Sequence, residues 1–436
     1  MFIMKFGGSS LQTPERLRET AAIVRKHQHL RPFLVLSAMG HTTEDLVDAG
    51  RSALNQRIEA RIETFHRTFL SALDLSLECV DTLLSELYSL LKGISLIGEL
   101  TPKTQDTLLS FGERLSVRIF SAYLNRIGLP SSHYDGWDAG ILTDSQYTHA
   151  EVLPESSERI RHALGLETKI PVVTGFIGKD GQGNITTLGR GGSDLTASVL
   201  GQALGAKEIQ LWKDVDGILS ADPRLVPAAA TLERLSFVEA AELAYFGAKV
   251  LHPTSILPAM DAKIPVRIKN HRDPSHPGTV IFEGESVKSG VIAIIYKSNQ
   301  TLVHIESTRM LGQSGFLATV FQIFADLGIS VDVIATSEVS ISLTLSGADL
   351  NELIKRIKPF ATVRTSRSKS ILSLIGTATS SSRLLETVMR ALNREKIDVQ
   401  MISHGASKIN TSLIVEDGEL KRSVAVLYDA FFGGKE

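Results

Sequence analysis

The sequence predicts an α/β fold, with a mainly parallel sheet sandwiched by helices, followed by a smaller α+β region built from a repeat. Over about the first 285 residues, short β-rich runs alternate with longer stretches of helical periodicity, which is typical of α/β architecture. The last 140 residues or so differ in texture, since they are richer in Ser, Ile and Val and contain two similar segments.

Composition limits the class of protein. The chain has 436 residues, of which 43% are hydrophobic and 22% charged, so it can form a sizeable core and about three domains. Its formal net charge of −2 gives no overall basic field for nucleic acid or an anionic membrane. Cys79 is the only cysteine, which excludes an internal disulfide and a cysteine-based metal cluster. No apolar run approaches the roughly 20 residues that cross a bilayer, and the start lacks a secretory signal. We therefore expect a cytoplasmic protein without nucleic-acid or membrane partners.

The N-terminal region begins with a predicted strand, a turn and a helix. Phe2–Phe6 is the strand, and Thr13 followed by Pro14 is typical of a helix start. Residues 32–38 form a continuous apolar run that suits a strand buried on both faces. Residues from about 50 to 110 carry Leu and charged residues at helical spacing and are predicted to be mostly helical.

Further elements follow in the same alternation. Strands are predicted over residues 170–177, 208–213 and 264–269. A helix is predicted over residues 193–204, ended by Gly205. Ser236 and Glu239 form a capping box that opens another helix.

The last third of the chain contains an internal repeat. Residues 329–334 align with residues 397–402 at a spacing of 397 − 329 = 68, and similar segments precede and follow them. Each copy is predicted as strand, helix, strand, strand. Because each copy is too small for a comfortable core by itself, we expect the copies to pack against each other or against a partner subunit.

Lys5 lies near the end of the first predicted strand, beside a glycine-rich turn. Gly7 and Gly8 let backbone N–H groups approach an anion, and the next helix contributes its positive N-terminal dipole. An exposed lysine beside an ordinary turn is the alternative interpretation. The chain has no G-x-x-x-x-G-K-[ST] loop, and no G-x-G-x-x-G follows a strand, so neither a Walker A site nor a dinucleotide site is indicated.

A second glycine-rich loop, residues 186–192, opens onto the helix that carries Ser193 and Asp194. Arg190 in this loop offers a planar guanidinium that suits a carboxylate or a phosphate. As an alternative, Ser193 only caps the helix and Asp194 only complements its dipole. The density of glycine on both sides of Arg190 favours a binding role.

Two more segments are candidates for ligand binding. Residues 213–224 form a long polar turn directly after a predicted strand, and ligands of α/β domains bind at the carboxyl ends of strands. Lys249 lies just beyond a predicted helix end, where a lysine alone is more often a partner of the helix dipole than a catalyst.

Together these segments resemble the amino-acid kinase superfamily, and within it the aspartate kinases, over essentially the whole chain. The matching motifs occur in the family's order: KFGGSS at 5–10, SAMG at 37–40, FGER at 111–114, TLGRGGSD at 187–194, DVDG at 214–217, ADPR at 221–224 and GAKVLHP at 247–253. The resemblance implies an amino-acid kinase fold over residues 1–285, followed by two ferredoxin-like α+β ACT domains over 298–365 and 366–436.

The resemblance also implies an activity. ATP would donate its γ-phosphoryl group, with Mg²⁺ bridging the phosphates, to the β-carboxylate of L-aspartate, the first step of the route to lysine, threonine and methionine. Because the nucleophile is already a carboxylate, catalysis needs alignment and charge neutralisation more than a general base. Lys5 would stabilise the γ-phosphoryl group, and Asp194 would hold Lys5 or fix the shell of the metal, with no metal site built from the protein alone.

Substrate and nucleotide residues follow from the same resemblance. Arg190 would bind the α-carboxylate of aspartate, Glu113 its ammonium, and Thr43 and Ser193 would lie alongside. The residues implied for ATP are Lys5, Gly7, Gly8, Ser9, Lys213, Asp214, Leu219, Asp222, Arg224, Lys249 and Val250. Lys213 stands where the family more often has Thr or Ser, and Leu219 where it often has Tyr, which leaves the nucleotide packing open.

The repeat resembles paired ACT domains and implies an inhibitor site for free L-lysine in its first copy. The ammonium of lysine would meet Asp332 or Glu338, and its carboxylate the backbone of the preceding loop. The implied set is Met310, Gly315, Phe316, Leu317, Val331, Asp332, Ser337 and Glu338. Gln400 stands at the aligned position of the second copy and lacks the charge, so we expect one effector site per chain. A solvated Asp332 at a strand edge is the alternative. Family analogy implies a homodimer, or a larger homo-oligomer, formed through these repeats.

Two other functions stay open at this point. The first is another kinase of the superfamily, acting on N-acetylglutamate, glutamate or UMP; Glu113 favours a substrate with a free amino group over an acetylated one. The second is a non-catalytic amino-acid sensor, against which the presence of Lys5, Arg190 and Asp194 argues.

Overall fold

The computed structural model describes the chain except for residues 247–249, 285–289, 313, 348, 378–379 and 434–436. The chain forms two compact units. The N-terminal unit comprises Met1–Ile218, Glu233–Phe237 and Lys249–Glu285, and the C-terminal unit comprises Leu219–Leu232, Val238–Ala248 and Ser286–Glu436. Two segments before residue 285 thus group with the C-terminal unit, and the predicted domain boundaries stay predictions.

The elements of the first 285 residues alternate strands and helices, as predicted. In order they are β1 (Phe2–Phe6), α1 (Pro14–Lys26), β2 (Pro32–Leu36), α2 (Thr42–Leu54), α3 (Arg61–Ala72), α4 (Glu78–Ile97), α5 (Pro102–Arg126), β3 (Ser131–Tyr134), β4 (Leu142–Thr143), α6 (Ser156–Leu164), β5 (Ile170–Thr174), β6 (Ile177–Asp180), β7 (Ile185–Thr187), α7 (Gly192–Leu204), β8 (Glu208–Lys213), β9 (Arg234–Ser236), α8 (Phe237–Phe246), α9 (Leu257–Asp261), β10 (Val266–Asn270) and β11 (Thr279–Phe282). Short 3₁₀ turns occupy Gly8–Leu11, Gln28–Leu30 and Pro253–Ile256.

The main sheet has eight strands in the order β3-β5-β2-β1-β8-β10-β11-β9. Strand pairs from β3 to β10 are parallel, and only β10 and β11 run antiparallel. The predicted mainly parallel sheet is therefore confirmed. A second, small sheet has the order β4-β6-β7. The single strand predicted over residues 170–177 is observed as two strands. The extended backbone is interrupted between β5 and β6, and β6 belongs to the small sheet.

Local sequence explains why these elements form. The side chain of Thr13 caps α1 by accepting from the Arg16 N–H, and Pro14 stands at the first helical position. All five residues of β2 are buried, as expected for a central parallel strand. Trp212 of β8 is fully buried, and its ring stacks on Phe6 of β1 with centroids 5.8 Å apart. The central strands of the main sheet are thus buried in the hydrophobic core, which fixes the position of their ends.

The C-terminal unit contains one antiparallel sheet of six strands in the order β13-β14-β12-β15-β17-β16. Its elements are β12 (Ala293–Glu306), α10 (Phe316–Asp326), β13 (Ile334–Thr336), β14 (Ser340–Ser346), α11 (Leu350–Ile357), β15 (Thr362–Ile375), α12 (Ser381–Arg394), β16 (Met401–His404), β17 (Asn410–Glu416) and α13 (Leu420–Phe432). The predicted strand, helix, strand, strand pattern omitted the helices that close each copy, α11 and α13. These helices are required because their apolar faces cover the sheet; Leu353 and Ile357, for example, are fully buried.

The two copies of the repeat interleave through their longest strands. Residues 300–306 of β12 pair with β14, and residues 302–306 also pair with residues 362–366 of β15, which completes the first copy. Residues 293–297 of β12 pair instead with residues 371–375 of β15, and there they serve as the fourth strand of the second copy. The first copy is thus inserted into the second, and the strand at 293–297 precedes both predicted ACT ranges.

Candidate active site

The centre of the candidate site is where β1 and β8 meet the first turn of α7. Parallel pairing places Lys5 opposite Leu211, so Lys213, two residues further along β8, lies on the same face of the sheet. Helix α7 packs on that face, and Gly201 lets it come close, because a Cβ there would lie 2.6 Å from the Ile209 side chain. These placements bring Asp194 of α7 over both lysines.

Asp194 bridges the two ammonium groups. Its Oδ1 lies 2.8 Å from the Lys5 Nζ, and its Oδ2 accepts a hydrogen bond of 2.8 Å from the Lys213 Nζ. The side chains of Lys5 and Asp194 are only 9% and 7% exposed. Burial opposes ionisation of Asp194, but the charges of Lys5 and Lys213 outweigh it and hold the pKa of that carboxyl well below its ordinary value. Lys5 and Asp194 therefore lie in direct contact, and their roles in phosphoryl transfer stay predictions.

The glycine turn after β1 leaves space beside the Lys5 ammonium. A Cβ on Gly7 would lie 3.6 Å from the Lys5 Nζ, and one on Gly8 would lie 2.9 Å from the carbonyl oxygens of Ala38 and Gly40. The carbonyl of Gly8 accepts from the Gly40 N–H at 3.1 Å, which ties the turn to the end of β2. Ser9, the other residue of this turn predicted to contact ATP, is partly exposed. Gly8 therefore permits close packing of the turn on the end of β2, and the space beside the Lys5 ammonium lies at Gly7.

Glu113 lies in α5 and is almost completely buried. Its Oε1 accepts from the Ala38 N–H at 3.0 Å, whereas its Oε2 has no hydrogen-bond partner within the described part of the chain. Burial raises the pKa of Glu113 to about 8, against the smaller opposing effects of the Ala38 N–H and the Lys5 charge. One carboxyl oxygen of Glu113 is thus unpaired, and a bound cation would stabilise the ionised form.

Ser193 lies beside Asp194 at the start of α7. Its Oγ accepts from the Ser37 Oγ at 3.0 Å, and a Cβ on Gly175 would come within 2.6 Å of the Ser193 Oγ. No side-chain cap is found at this helix start, whose N-cap residue is Gly191 at a φ of +76°. Ser193 is therefore not the helix cap that one interpretation of the sequence allowed.

Arg190 and Thr43, predicted to bind the substrate, are accessible. Arg190 is exposed, and Thr43 is partly exposed in the first turn of α2. Among the residues that the structure covers, neither side chain makes a hydrogen bond or an ion pair. Gly189 and Gly191, at φ values of +69° and +76°, give the loop around Arg190 its shape. The roles of Arg190 and Thr43 in substrate binding stay predictions.

The residues predicted for the nucleotide lie in several places. Asp214 is exposed directly after β8, and Val250 is partly exposed. Leu219, Asp222 and Arg224 belong to the C-terminal unit, where Asp222 pairs with Arg224 at 2.6 Å and accepts from the Tyr296 hydroxyl at 2.9 Å. Lys249 lies outside the described residues. Lys213 contacts Asp194, which the sequence did not predict.

Asp106 is a further residue that the sequence analysis missed. It is buried in α5, and its Oδ2 accepts from the N–H groups of Thr148 and Thr187 at 2.9 Å each. Its Oδ1 accepts from the Thr187 hydroxyl at 2.8 Å. This carboxylate holds the strand that leads into the Arg190 loop. A single polar residue within a helical pattern gives no signal of such a contact.

Asp332, the predicted partner of the lysine ammonium, has a buried side chain in the C-terminal unit. That side chain is 5% exposed, and its Oδ1 contacts the Lys297 Nζ at 2.6 Å and the Tyr245 hydroxyl at 3.1 Å. Its Oδ2 accepts only from the Ser346 hydroxyl, at 3.3 Å, among the contacts of the described residues. The alternative of a solvated Asp332 at a strand edge is therefore wrong.

The other members of the effector set lie on loops and a helix start. Gly315, at a φ of +89°, precedes the first turn of α10, which carries Phe316 and the exposed Leu317. Met310 ends the 3₁₀ turn Thr308–Met310. Val331 directly precedes Asp332, and Ser337 and Glu338 are exposed between β13 and β14.

Structural register confirms the alignment of the two copies. The Asp332 N–H donates to the Thr344 carbonyl, and the Gln400 N–H donates to the equivalent Ile414 carbonyl, both at 2.9 Å. The Gln400 side chain donates to Glu416 at 2.6 Å, and Glu416 also pairs with Lys369. The second copy thus places no carboxylate where the first has Asp332.

Within the described ranges, no three His, Cys, Asp or Glu side chains form a group that could hold a metal ion. Each oxygen of Asp194 contacts a lysine ammonium group, and a role of Asp194 toward the shell of a metal stays a prediction. No described helix is long and apolar enough to span a bilayer.

Comparison with known proteins identifies the family. The model of the amino acid kinase family matches residues 1–270, and that of an ACT domain matches residues 303–358 and 372–431. Chloroplastic aspartokinase 2 of Arabidopsis thaliana is 47% identical, over 99% of this chain and 84% of that protein. The chain belongs to the aspartokinases, within the amino acid kinase family. The predicted ATP-dependent aspartate kinase is thereby confirmed as its enzyme class.

Solved structures of aspartokinases agree with this assignment. Escherichia coli aspartokinase III in complex with aspartate and ADP, in the R-state, has a TM-score of 0.80 and 31% sequence identity, over 99% of this chain and 100% of that one. The same enzyme with lysine and aspartate, in the T-state, has a TM-score of 0.76 and 31% identity, over 99% of each chain. The amino-acid kinase fold followed by ACT domains is confirmed as the fold class.

Proposed function

We propose that this aspartokinase transfers the γ-phosphoryl group of ATP to the β-carboxylate of L-aspartate, giving 4-phospho-L-aspartate and ADP. The observation that carries the proposal is the 2.8 Å contact between the Lys5 ammonium and the Asp194 carboxylate, beside the open glycine turn. The complex of the Escherichia coli relative with aspartate and ADP supports it.

Lys5 is the group that meets the transferring phosphoryl. Two ammonium groups share one carboxylate, so the pocket keeps a net positive charge where charge on the phosphoryl develops. Because the β-carboxylate of aspartate is already an anion, the site needs no general base. Asp194 orients Lys5 and takes no part in proton transfer.

Magnesium would arrive with ATP. The fit rests on the donor set, since phosphate and water oxygens satisfy Mg²⁺ without several protein carboxylates, and the described residues offer no carboxylate cluster. When bound, Mg²⁺ neutralises charge on the phosphates. The remaining alignment falls to the glycine turn and Lys5.

Glu113 and Arg190 would orient aspartate by its two ends. The unpaired Oε2 of Glu113 suits the α-ammonium, and the free, exposed guanidinium of Arg190 suits the α-carboxylate. Thr43 and Ser193 would add hydrogen bonds. An acetylated amine could not use Glu113 in this way, so N-acetylglutamate fits the site less well than aspartate.

The decisive assay measures ADP release by the full chain with Mg²⁺-ATP and each candidate acceptor: L-aspartate, N-acetylglutamate, L-glutamate or UMP. We expect turnover with aspartate alone. A preference for another acceptor would assign a different kinase reaction. No turnover with any acceptor, together with intact lysine binding, would instead indicate a sensor.

We also propose that free L-lysine inhibits the enzyme at Asp332. The ammonium of Lys297 already contacts Oδ1 of this carboxylate, so the proposed ligand would add a second ammonium beside an existing one. Oδ2 has only the longer contact from Ser346, so it can take the ammonium of a ligand without displacing Lys297. The lysine complex of the Escherichia coli relative supports this site. The coupling required is about 1–3 kcal/mol.

The assembly expected from the sequence is a homodimer, or a larger homo-oligomer, formed through the ACT sheet. Leu311 and Leu317, near the predicted lysine loop, and Ile334, on edge strand β13, are large exposed apolar residues of the first copy. Sedimentation equilibrium of the full chain, with and without lysine, tests it; a monomer under both conditions would contradict the proposal. A cytoplasmic location also stays a prediction, and the Arabidopsis relative is chloroplastic by name.

A further inference from the structure

The candidate site holds a second lysine whose position argues for a role of its own. Lys213 ends β8, one strand away from Lys5, and its Nζ donates to Asp194 Oδ2 at 2.8 Å. Its side chain is 20% exposed. Burying an ammonium so far is costly unless it is paired, and here the pairing uses the same carboxylate that holds Lys5.

The contact with Asp194 distinguishes Lys213 from the other residues predicted to bind the nucleotide. Asp214, the next residue, is exposed and therefore accessible to a ligand. The ammonium of Lys213 is instead engaged inside the protein. Its backbone is also fixed, since its carbonyl accepts from the His271 N–H at 2.8 Å and the His271 Nδ1 contacts it at 2.7 Å. Both ends of the residue are therefore positioned before any nucleotide binds.

We propose that Lys213 is a positioning residue for phosphoryl transfer: it secures one oxygen of Asp194 so that the other oxygen holds the Lys5 ammonium at the γ-phosphoryl position. The inference rests on the proposed function and deepens it.

The role follows from the geometry of a shared carboxylate. With Lys213 in place, Asp194 has a fixed partner on each side and cannot rotate about its χ2 torsion without losing one of them. Without Lys213, the carboxylate has one partner and can follow the Lys5 side chain away from the phosphoryl group. Misplacement of a catalytic group by about 1 Å costs on the order of 100-fold in rate.

The test compares Lys213→Met, Lys213→Gln and Lys213→Arg in the full chain. For Lys213→Met we expect kcat to fall about 10- to 100-fold, with the Kd for ADP changed by less than about threefold. Lys213→Arg should recover most of kcat, because a guanidinium can pair with Asp194, and Lys213→Gln should be intermediate. Because ADP lacks the γ-phosphoryl group, its Kd measures the nucleotide contacts independently of phosphoryl transfer.

The matched control is Lys269→Met. Lys269 is a partly buried lysine on the neighbouring strand β10, and its ammonium donates to the backbone carbonyls of Pro274 and His276. Its kcat should stay close to that of the unmodified chain. Thermal unfolding of each variant confirms folding, and the ADP titration verifies that the site is formed.

Two results would overturn the inference. A loss of ADP affinity of tenfold or more in Lys213→Met, with kcat preserved, would make Lys213 a nucleotide contact. A full kcat in Lys213→Met would remove any role in positioning. Failure of the proposed function has a different signature, since the unmodified chain would then release no ADP with aspartate, while the ADP titration of Lys213→Met would still distinguish a nucleotide contact.

Discussion

Aspartate binding should release a proton from Glu113. The pKa of Glu113 is raised to about 8 by burial, so at pH 7, one unit below, only about a tenth of the side chain is ionised. An ammonium bound at Oε2 favours the ionised form and lowers that pKa. Binding at pH 7 therefore requires loss of nearly one proton, at a cost of about 1.4 kcal/mol, or a factor of ten in affinity.

The sign of the pH dependence follows directly. Because the pKa of Glu113 is raised in the enzyme without aspartate, this side chain is mostly neutral below pH 8 and becomes ionised as the pH rises. The Kd for aspartate should thus fall about tenfold between pH 6 and pH 7 and level off above about pH 8. Isothermal titration calorimetry in buffers of different ionisation enthalpy measures the proton release and the Kd together.

The variant Glu113→Gln provides the control. It cannot ionise, so it should bind aspartate more weakly, release no proton and show no slope in this window. Its affinity for ADP should be unaffected. If the unmodified enzyme binds aspartate without proton release and with a constant Kd from pH 6 to pH 7.5, then Glu113 is not the partner of the ammonium.

Three more outcomes are expected. Replacing Lys5 with Ala should reduce kcat about 10²- to 10³-fold if it stabilises charge on the transferring phosphoryl group; full activity in steady-state ADP release would be incompatible with that role. Asp332→Ala should keep basal activity and lose inhibition by lysine, which a lysine titration of the same assay measures; unchanged sensitivity would remove Asp332 from the effector site. Leu353→Ala, at a fully buried position of α11, should lower the free energy of unfolding by about 2–5 kcal/mol. The matched change Leu96→Ala, at a leucine that is 87% exposed, should shift it by less than about 0.5 kcal/mol in denaturant titrations, and equal effects would contradict the packing described.

Much of the N-terminal unit was predictable because its signals are local. The strand before Gly7, the cap at Thr13 and the helix ended by Gly205 each depend on neighbouring residues, and each is observed. The convergence of Lys5 and Asp194 was predictable from the motifs of the family. The contact of Lys213 with Asp194 was not, because it depends on the parallel register of β1 and β8 and on the close approach of α7 at Gly201.

The interleaved repeat shows a different limit of the sequence. The alignment of the copies at a spacing of 68 was correct, but it begins too late to include residues 293–297. These residues belong to the second copy through pairing with a strand more than 70 positions away, and a non-local pairing leaves no periodic signal. The omitted α11 did have a local signal, since Leu350, Leu353 and Ile357 recur at helical spacing.

Asp194 and Asp332 obey one electrostatic rule and differ in how far it is satisfied. A buried carboxylate stays ionised only when cations or hydrogen-bond donors compensate it. Asp194 has an ammonium at 2.8 Å on each oxygen, so both of its oxygens are compensated. Asp332 has Lys297 and Tyr245 on one oxygen and only a 3.3 Å hydroxyl contact on the other. A second ammonium at the Asp332 Oδ2 would compensate it as Lys213 compensates Asp194, and the proposed ligand L-lysine carries such a group. The same electrostatic rule therefore fits both proposed roles, Asp194 as the support of Lys5 and Asp332 as the anchor of a basic amino acid.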